Sequence, residues 1–340
     1  MNGFVLFSIL INTLGLGCGL LLIASILETK PFKTPVDFWF SLNYSVTCII
    51  ISLLFVFGHV SGLGLGLGLG LGLGLVCQFY GITSILLLTN LGLILSTVPI
   101  LHLITLIYGH NHDKGKVLSI IALNLTSSLL FALWLSDSFH FIGIHGVPIK
   151  VQPSRMYCYL DVLDRSLYAV GVNTFVVCLL YLSPWFYGFL YFLVYFYSKK
   201  ALVIAGSESV EKITFNIMTR GILHSLTVGF MVYGIATVFL VQIKMGKPIS
   251  PVIDSVSLLS LEFMSVVASL LSWYMDKSCR TALVKQVLPK LKTSFHSSTS
   301  TTSSSVGSVT CVTSRSIDQL NQDQSEIMQE SFIQVMSPSL

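Results

Sequence analysis

Charge is scarce in this chain, and so are the motifs of soluble enzymes. Charged residues make up 10% of its 340 residues and hydrophobic residues 53%, whereas ordinary soluble domains carry roughly 25% charge. Together with a mean hydropathy of +0.81, this composition argues against a water-soluble fold. No Walker-type phosphate loop, Gly-x-Ser-x-Gly elbow or paired-carboxylate array occurs. We therefore expect no enzymatic activity, and we expect no nucleic-acid partner.

Metal-binding patterns and internal repeats are also missing. His110 and His112 form one H-x-H, and His102 lies one or two turns earlier. Histidine-box metal enzymes need several such clusters to complete the coordination of the metal, and this sequence has no second one. We expect neither a metal nor another cofactor. No repeat relates two halves of the chain, although such repeats are common in transporters.

The chain does contain seven long apolar stretches. About 20 mostly apolar residues cross the hydrocarbon core of a bilayer as a helix, and each stretch reaches that length. We predict an all-α membrane protein, with a seven-transmembrane helix bundle in residues 1–291 that contacts the lipid bilayer. The predicted spans are Phe4–Ile26, Val36–His59, Cys77–Tyr108, Val117–Ser136, Leu167–Tyr197, Phe215–Ile243 and Val252–Met275.

The loops between the spans divide Lys and Arg unevenly. Cytoplasmic loops accumulate these residues, and most of the 19 Lys and Arg residues lie on the side that also holds the C-terminus. We therefore predict an extracellular N-terminus and a cytoplasmic C-terminus. An odd number of spans places the termini on opposite sides, in agreement with the charge pattern.

The segment after the last span changes character twice. Asp276–Leu291 places Cys279, Leu283, Val287 and Leu288 on roughly one face, which predicts a short basic amphipathic helix along the inner leaflet. Residues 292–340 are polar and rich in Ser and Thr, and we expect them to be disordered. A dense cluster there favours regulation by phosphorylation over a passive solvated tail. The candidate sites are Ser297, Ser298, Thr299, Ser300, Thr301 and Thr302.

Cysteines mark both ends of the predicted bundle. Cys77 opens span three and Cys158 lies in the long loop after span four, both on the oxidising side of the membrane where disulfides persist. A bridge between them would fix that loop over the bundle. At the other end, Cys279 is either a palmitoylation site or a plain buried residue. Between spans two and three, residues 62–75 alternate Gly and Leu, and we expect either a slack loop or a frayed extension of either helix, without function.

Two carboxyl groups lie within span seven. Glu262 is near its middle, and Asp254 lies about two turns nearer the outer surface. Ionisable groups inside a bilayer cost about 2.5–3.5 kcal/mol on insertion scales, so they tend to face the bundle interior and to be functional. Glu262 either binds a cationic or polar ligand or is a protonated carboxyl bonded to a neighbouring helix. Span seven contains no Lys, which excludes a retinal Schiff base there.

These features together resemble a rhodopsin-like (class A) G-protein-coupled receptor. The resemblance rests on seven spans, the cysteines at span three and in the second outer loop, the helix after span seven and the Ser/Thr tail. The best local match is Ala268–Ser272 followed by Asp276–Leu283. This run is similar to the Asn-Pro-x-x-Tyr motif of the family and to the basic, apolar helix that follows it.

The resemblance implies an orphan receptor in the plasma membrane, with an unknown extracellular ligand and with a heterotrimeric G protein and arrestin as partners. If Ala268–Ser272 is aligned with the Asn-Pro-x-x-Tyr motif, Glu262 falls at a position that often lines the ligand pocket in this family. The candidate ligand-binding residues are Glu262, Tyr233, Phe230, Tyr168 and Asp254. The candidate residues facing the G protein are His102, Lys199, Lys200 and Arg220.

Other motifs of the family are altered. Leu101-His102-Leu103 stands near the place of Asp/Glu-Arg-Tyr, and span six contains neither Trp nor Pro. These changes bear on G-protein activation, whereas a seven-helix fold does not depend on them. One alternative is therefore a non-signalling seven-helix scaffold or partner protein. Another is a transporter, which the absence of repeats and the odd number of spans disfavour.

Overall fold

Seven long helices form a bundle in the computed structural model, which describes residues 2–29, 34–60, 73–108, 112–136, 138, 146–152, 157–204 and 210–290. All seven are long and apolar enough to cross a membrane, so the predicted all-α membrane bundle is confirmed. The helices are α1 Asn2–Glu28, α2 Pro35–Val60, α3 Leu73–Tyr108, α4 Lys114–Leu135, α5 Leu167–Ile204, α6 Val210–Met245 and α7 Pro251–Met275. Residues 62–72 of the Gly-Leu repeat lie outside the described residues, and residues 73–75 begin α3.

Sequence signals account for several helix ends. Asp113 caps α4 by accepting a hydrogen bond from the backbone amide of Lys116 at 2.8 Å, because the first amides of a helix have no partner within it. Proline at the first position of α7 suits a helix start. After α6, Gly246 adopts φ +68°, the left-handed conformation that ends many helices and favours glycine. A side chain at Gly246 would also collide with the guanidinium of Arg165.

The helices close into a ring in which α7 contacts α1, α2 and α6, and α3 contacts α2, α4 and α5. Helix α7 is the most enclosed, with 61% of its central window buried, whereas α4 has only 22%. The remaining faces expose Leu, Phe and Val side chains, as expected of surfaces that meet lipid. The largest apolar core runs through the middle of the bundle from α2 and α3 to α6 and α7.

A two-stranded antiparallel hairpin lies at one end of the bundle. Strand β1 (Ile149–Val151) pairs with β2 (Cys158–Leu160), and the Cys77–Cys158 disulfide joins β2 to α3. The predicted disulfide is therefore confirmed. We call this end of the bundle the disulfide end.

The opposite end carries a short helix after α7 and is called the α8 end. Helix α8 (Lys277–Ala282) continues as a π-helical turn over Leu283–Val287, so the predicted terminal helix is confirmed. Its predicted apolar face is only partly right. Cys279 and Val287 are buried together with Ala282, but Leu288 is 45% exposed, because the π-helical turn alters the spacing of the last residues.

Burial also decides between the two interpretations of Cys279. Its side chain is 1% exposed, and its sulfur lies 3.9 Å from the hydroxyl of Thr29. A thiol in this position packs as an apolar residue and is poorly placed for acylation. The structure therefore supports the plain buried cysteine. Residues 291–340, with the predicted disordered tail, lie outside the described residues.

Candidate functional site: two cavities in the helix bundle

A cavity of about 580 Å³ lies inside the bundle towards the disulfide end. We call it the apolar cavity, because every lining residue is aliphatic, aromatic or a small neutral residue and none carries a charge. Its walls come from α2 to α7 and from the hairpin. The lining residues include Tyr80, Gly92, Leu95, Tyr157, Leu179, Leu182, Phe186 and Tyr187.

Tyr80, which lines this cavity, carries a deeply buried hydroxyl. The side chain is 1% exposed, and its ring packs edge-on against Phe55 at a centroid distance of 6.1 Å. Close contact with Gly58 holds the ring, since a Cβ at that glycine would lie 2.4 Å from it. Within the described part of the chain the Tyr80 hydroxyl has no hydrogen-bond partner. A buried hydroxyl without a partner is unfavourable.

The hairpin covers the cavity at the disulfide end. Tyr157 and Cys158 line the cavity with 3% and 0% of their surfaces exposed. The hydroxyl of Tyr157 donates a hydrogen bond of 2.7 Å to the carboxylate of Asp254 on α7, and the ring of Tyr159 stacks on Phe239 of α6 at 5.2 Å. With the disulfide to α3, these contacts fasten the hairpin to three helices.

Three ionisable side chains of the hairpin have raised pKa values. Burial, and then the neighbouring Asp254 carboxylate, raise the pKa of Tyr157 well above its usual range. Burial likewise raises the pKa of Tyr159 to about 12. Lys150 forms an ion pair with Asp161 at 2.7 Å, and the hydrogen bond and charge of Asp161 raise the pKa of this lysine. All three side chains keep their protons at neutral pH.

A polar cluster joins α1, α2 and α7 beside the apolar cavity. Glu262 accepts a hydrogen bond from the hydroxyl of Ser8, and its Oε1 lies 3.0 Å from Nε2 of His59. Ser8 and His59 are themselves 2.5 Å apart. All three side chains are buried almost completely. Glu262 thus meets two polar partners inside the bundle, and it does not line the cavity.

The structure places the five candidate ligand residues in different surroundings. Glu262 and Asp254 are buried and bonded to other side chains. Tyr233 stacks on Tyr181 at 5.3 Å, between α5 and α6. Phe230 is 73% exposed and Tyr168 42% exposed, and neither lines the apolar cavity. The structure thus does not gather these five side chains into one pocket.

A second cavity, of about 360 Å³, lies at the α8 end. We call it the polar cavity, because ionisable side chains from several helices line it. These are Asp37 of α2, Tyr44 of α2, Tyr191 of α5, Arg220 and His224 of α6, and Asp276 before α8. The ring of Tyr191 stacks on that of His224 at 5.7 Å, which joins α5 to α6 at this end.

The residues predicted to face a G protein all lie at the α8 end. Arg220 lines the polar cavity. His102 of α3 lies 3.2 Å from the carboxylate of Asp37, which lines the same cavity. Lys199 and Lys200 are exposed in the last turns of α5. The cluster of candidate phosphorylation sites, residues 297–302, lies outside the described residues.

Sequence reasoning missed two members of the polar cluster. Ser8 carried no signal, because a serine in an apolar helix is common. His59 was predicted to lie at the outer boundary of span two, whereas the structure places it in α2 with 0% of its surface exposed. Its position only three residues before the Gly-Leu repeat gives no sign that it is buried. Glu262 lies 203 positions away, and only folding reveals such a pair.

The sequence matches no family model, and no curated protein matches it. Among solved structures, squid rhodopsin has a similar fold. It shares 14% sequence identity with this chain, and the match covers 90% of this chain and 92% of the squid protein with a TM-score of 0.66. The chain therefore has the seven-helix fold of rhodopsin, in a form whose sequence is highly divergent.

Proposed function

We propose that this chain is a receptor of the G-protein-coupled type, without enzymatic activity. A ligand in the apolar cavity shifts the packing of α3, α5 and α6, and a cytoplasmic transducer reads the shift in the polar cavity. A ligand changes such an equilibrium only through different affinities for the two states. The proposal places the protein in the plasma membrane, with the disulfide end extracellular and the α8 end cytoplasmic.

The shared wall between the two cavities carries this proposal. Leu95 of α3 lines both of them. On α5, Tyr187 lines the apolar cavity and Tyr191, one turn further, lines the polar cavity. The hydroxyl of Tyr187 also donates to the carbonyl oxygen of Gly92 on α3, at 3.4 Å. A movement of α3 against α5 therefore changes both cavities together, which is the coupling that a transmembrane receptor needs.

The polar cavity supports a transducer at the α8 end. Arg220 of α6 lines this cavity, and Lys199 and Lys200 are exposed in the last turns of α5. Together they supply positive charge for an acidic or carboxyl-terminal segment of a partner. The resemblance in sequence points to a heterotrimeric G protein and to arrestin. In this proposal arrestin binds after phosphorylation of the Ser297–Thr302 cluster, because phosphate groups add negative charge that a basic partner surface recognises.

Coupling without added ligand is the first test. The full chain and a chain that stops after Leu291 are expressed in cells, and their association with a panel of G proteins and with arrestin is measured by energy transfer. We expect basal G-protein association in both chains, and arrestin association only in the full chain. If neither partner associates with a chain that reaches the surface in the predicted orientation, the receptor proposal is wrong.

Two substitutions on α6 test the site of coupling. Arg220→Gln removes the charge in the polar cavity, whereas Lys244→Gln removes an exposed charge at the other end of the same helix. We expect the first to weaken G-protein association by about tenfold, the effect of losing roughly 1.4 kcal/mol. The second is the matched control and should leave association unchanged. Equal effects of the two substitutions on G-protein association would show that the transducer does not bind at the polar cavity.

A scaffold function is the second candidate, and the His102–Asp37 contact favours it. Near the place where rhodopsin-like receptors carry the arginine that links span three to span six and the G protein, this chain has His102, which lies 3.2 Å from Asp37 of α2. His102→Arg separates the two functions. Basal signalling that appears only in this variant would indicate a silent natural chain, whereas signalling by the natural chain would exclude a purely structural role.

A further inference from the structure

The apolar cavity limits the chemistry of its ligand by its lack of charge. None of its lining residues is acidic, basic or histidine. Transfer of an isolated ion into such surroundings is strongly unfavourable unless an opposite charge meets it. A volume of about 580 Å³ is ordinary for a small-molecule pocket, since such pockets measure roughly 300–1,000 Å³. The geometry therefore fits an uncharged and largely apolar ligand.

The buried carboxyl groups of α7 do not alter this conclusion. Glu262 is bonded to Ser8 and close to His59, and Asp254 accepts the hydroxyl of Tyr157. Neither residue lines the cavity. A cationic ligand in the cavity would thus meet no carboxylate, in contrast to the cation-binding role considered for Glu262 from the sequence.

The cavity reaches the lipid-facing side of the bundle. Leu179, Leu182 and Phe186 of α5 line the cavity although 43%, 62% and 48% of their surfaces are exposed. Across from them, Phe131 and Leu135 of α4 also line it. Helices α4 and α5 are not among the closely packed pairs of the bundle. Between α4 and α5, the apolar wall of the cavity therefore continues directly into the apolar outer surface of the bundle.

The disulfide end, by contrast, is covered in the part of the chain that the structure describes. Tyr157 and Cys158 close the cavity there and are almost completely buried. The disulfide to Cys77 and the hydrogen bond to Asp254 hold this cover in place. A ligand that arrives from water at this end would have to displace the hairpin, whereas one dissolved in the bilayer already faces the side opening.

We propose that the apolar cavity binds an uncharged, lipid-like molecule with a long hydrocarbon chain, and that this molecule enters from the bilayer between α4 and α5. Its polar head is neutral, because no lining residue of the cavity carries a charge. Its chain lies along Leu182 and Phe186 towards the opening. This inference rests on the proposed function, because it names the ligand class of the receptor's cavity.

Photolabelling of the full chain in lipid nanodiscs tests the ligand class. The probes are oleyl alcohol, oleamide and monooleoylglycerol, each with a diazirine in the hydrocarbon chain. We expect saturable labelling by at least one probe in peptides of α3 or α5 that line the cavity. The same compound without diazirine should compete, and oleyl sulfate and oleyltrimethylammonium should compete at least about tenfold less well, since a buried ion lacks a partner.

Two glycine substitutions test the location. A Cβ at Gly92 would meet only the Tyr187 hydroxyl, at 3.0 Å, so Gly92→Leu extends into the cavity, whereas Gly17 of α1 has nothing within 4 Å. We expect Gly92→Leu to weaken saturable labelling by about tenfold, an overpacking effect. Gly17→Leu should leave it unchanged. Competition among the probes on the natural chain remains decisive even if Gly92→Leu does not fold.

Two substitutions on α5 test the route. Leu182→Trp adds bulk at the side opening, and Phe189→Trp adds it to an exposed position of the same helix that does not line the cavity. We expect Leu182→Trp to slow the time course of labelling and Phe189→Trp to leave it unchanged. Equal rates in both variants would exclude access between α4 and α5.

The photolabelling experiments and the G-protein association experiments test different proposals, so the failure of one is distinguishable from the failure of the other. If no neutral probe labels saturably, or if the charged compounds compete equally well, the ligand class is wrong even where basal G-protein association is found. Saturable neutral labelling in a chain that associates with no G protein would instead leave the binding site intact and refute the receptor proposal.

Discussion

His59 of α2 and Glu262 of α7 form a buried contact, with Nε2 and Oε1 3.0 Å apart and neither side chain exposed. Ser8 of α1 contacts both. Three helices that are distant in sequence are thereby joined by polar side chains within an apolar bundle. Such groups are unfavourable in isolation, and their mutual contacts offset part of the cost of burying them.

Substitution of Glu262 should therefore act on stability. Glu262→Ala leaves Ser8 and His59 without their carboxylate partner, and we expect a loss of about 1–3 kcal/mol. Glu262→Gln retains an acceptor and a donor at the same place and should lose less. Thermal unfolding in detergent measures the difference. If labelling by the neutral lipid probes is also abolished in a well-folded Glu262→Gln protein, the carboxylate belongs to the ligand site after all.

Removal of the disulfide should loosen the hairpin. The Cys77–Cys158 bridge spans 81 positions of the chain, and disulfides that close long loops contribute about 2–5 kcal/mol by constraining the unfolded chain. Cys158→Ser should lower the unfolding temperature and speed hydrogen exchange in β1 and β2. Cys178→Ser replaces an exposed free cysteine of α5 and is the matched control. Equal stability of the two variants would contradict the role of the bridge.

Tyr157→Phe tests the other fastening of the hairpin. This change removes the hydrogen bond of 2.7 Å to Asp254, and we expect a loss of about 1–3 kcal/mol. Tyr168→Phe changes an exposed tyrosine of α5 and should have no effect. Hydrogen exchange of residues 157–160 measures the loosening directly. If backbone hydrogens of the hairpin exchange as slowly in Tyr157→Phe as in the natural chain, the hydrogen bond does not contribute to the stability of the hairpin.

The pH dependence of this bond has a defined sign. Burial and the Asp254 carboxylate raise the pKa of Tyr157 in the folded protein, so folding favours the protonated hydroxyl. Its contribution is fully present below the pKa of an unfolded tyrosine, about 10, and is lost as pH rises through the higher folded pKa. The stability difference between the natural chain and Tyr157→Phe should hence stay constant from pH 6 to about 9 and shrink only in stronger alkali.

Asp276 should control the helix after α7. Its carboxylate accepts hydrogen bonds from the backbone amides of Ser278 and Cys279 at 3.0 and 3.1 Å. Asp276→Ala removes this N-terminal cap, at a loss of about 0.5–2 kcal/mol, whereas Asp276→Asn retains a capping oxygen. We expect faster hydrogen exchange in residues 277–290 for the alanine variant alone. Equal exchange in both variants would assign the stability of this helix to the burial of Cys279 instead.

Hydropathy by itself predicted the seven spans, because a chain inside a bilayer satisfies its backbone hydrogen bonds only as helices or closed barrels. The positions of Cys77 and Cys158 next to one predicted end of the bundle were sufficient to predict their pairing. These properties depend on the order of residues along the chain and on the thickness of the membrane. They required no knowledge of how the helices pack.

The tertiary structure alone decided which face each helix turns inward. The spans are apolar on all sides, so their sequence pattern does not separate a lipid-facing side from a core-facing one. The sequence therefore does not reveal that Phe230, a candidate pocket residue, is 73% exposed, or that His59 and Glu262 are both buried. Contacts such as Tyr157 with Asp254 join residues 97 positions apart. Helix rotation and packing create such contacts, and these depend on all seven helices at once.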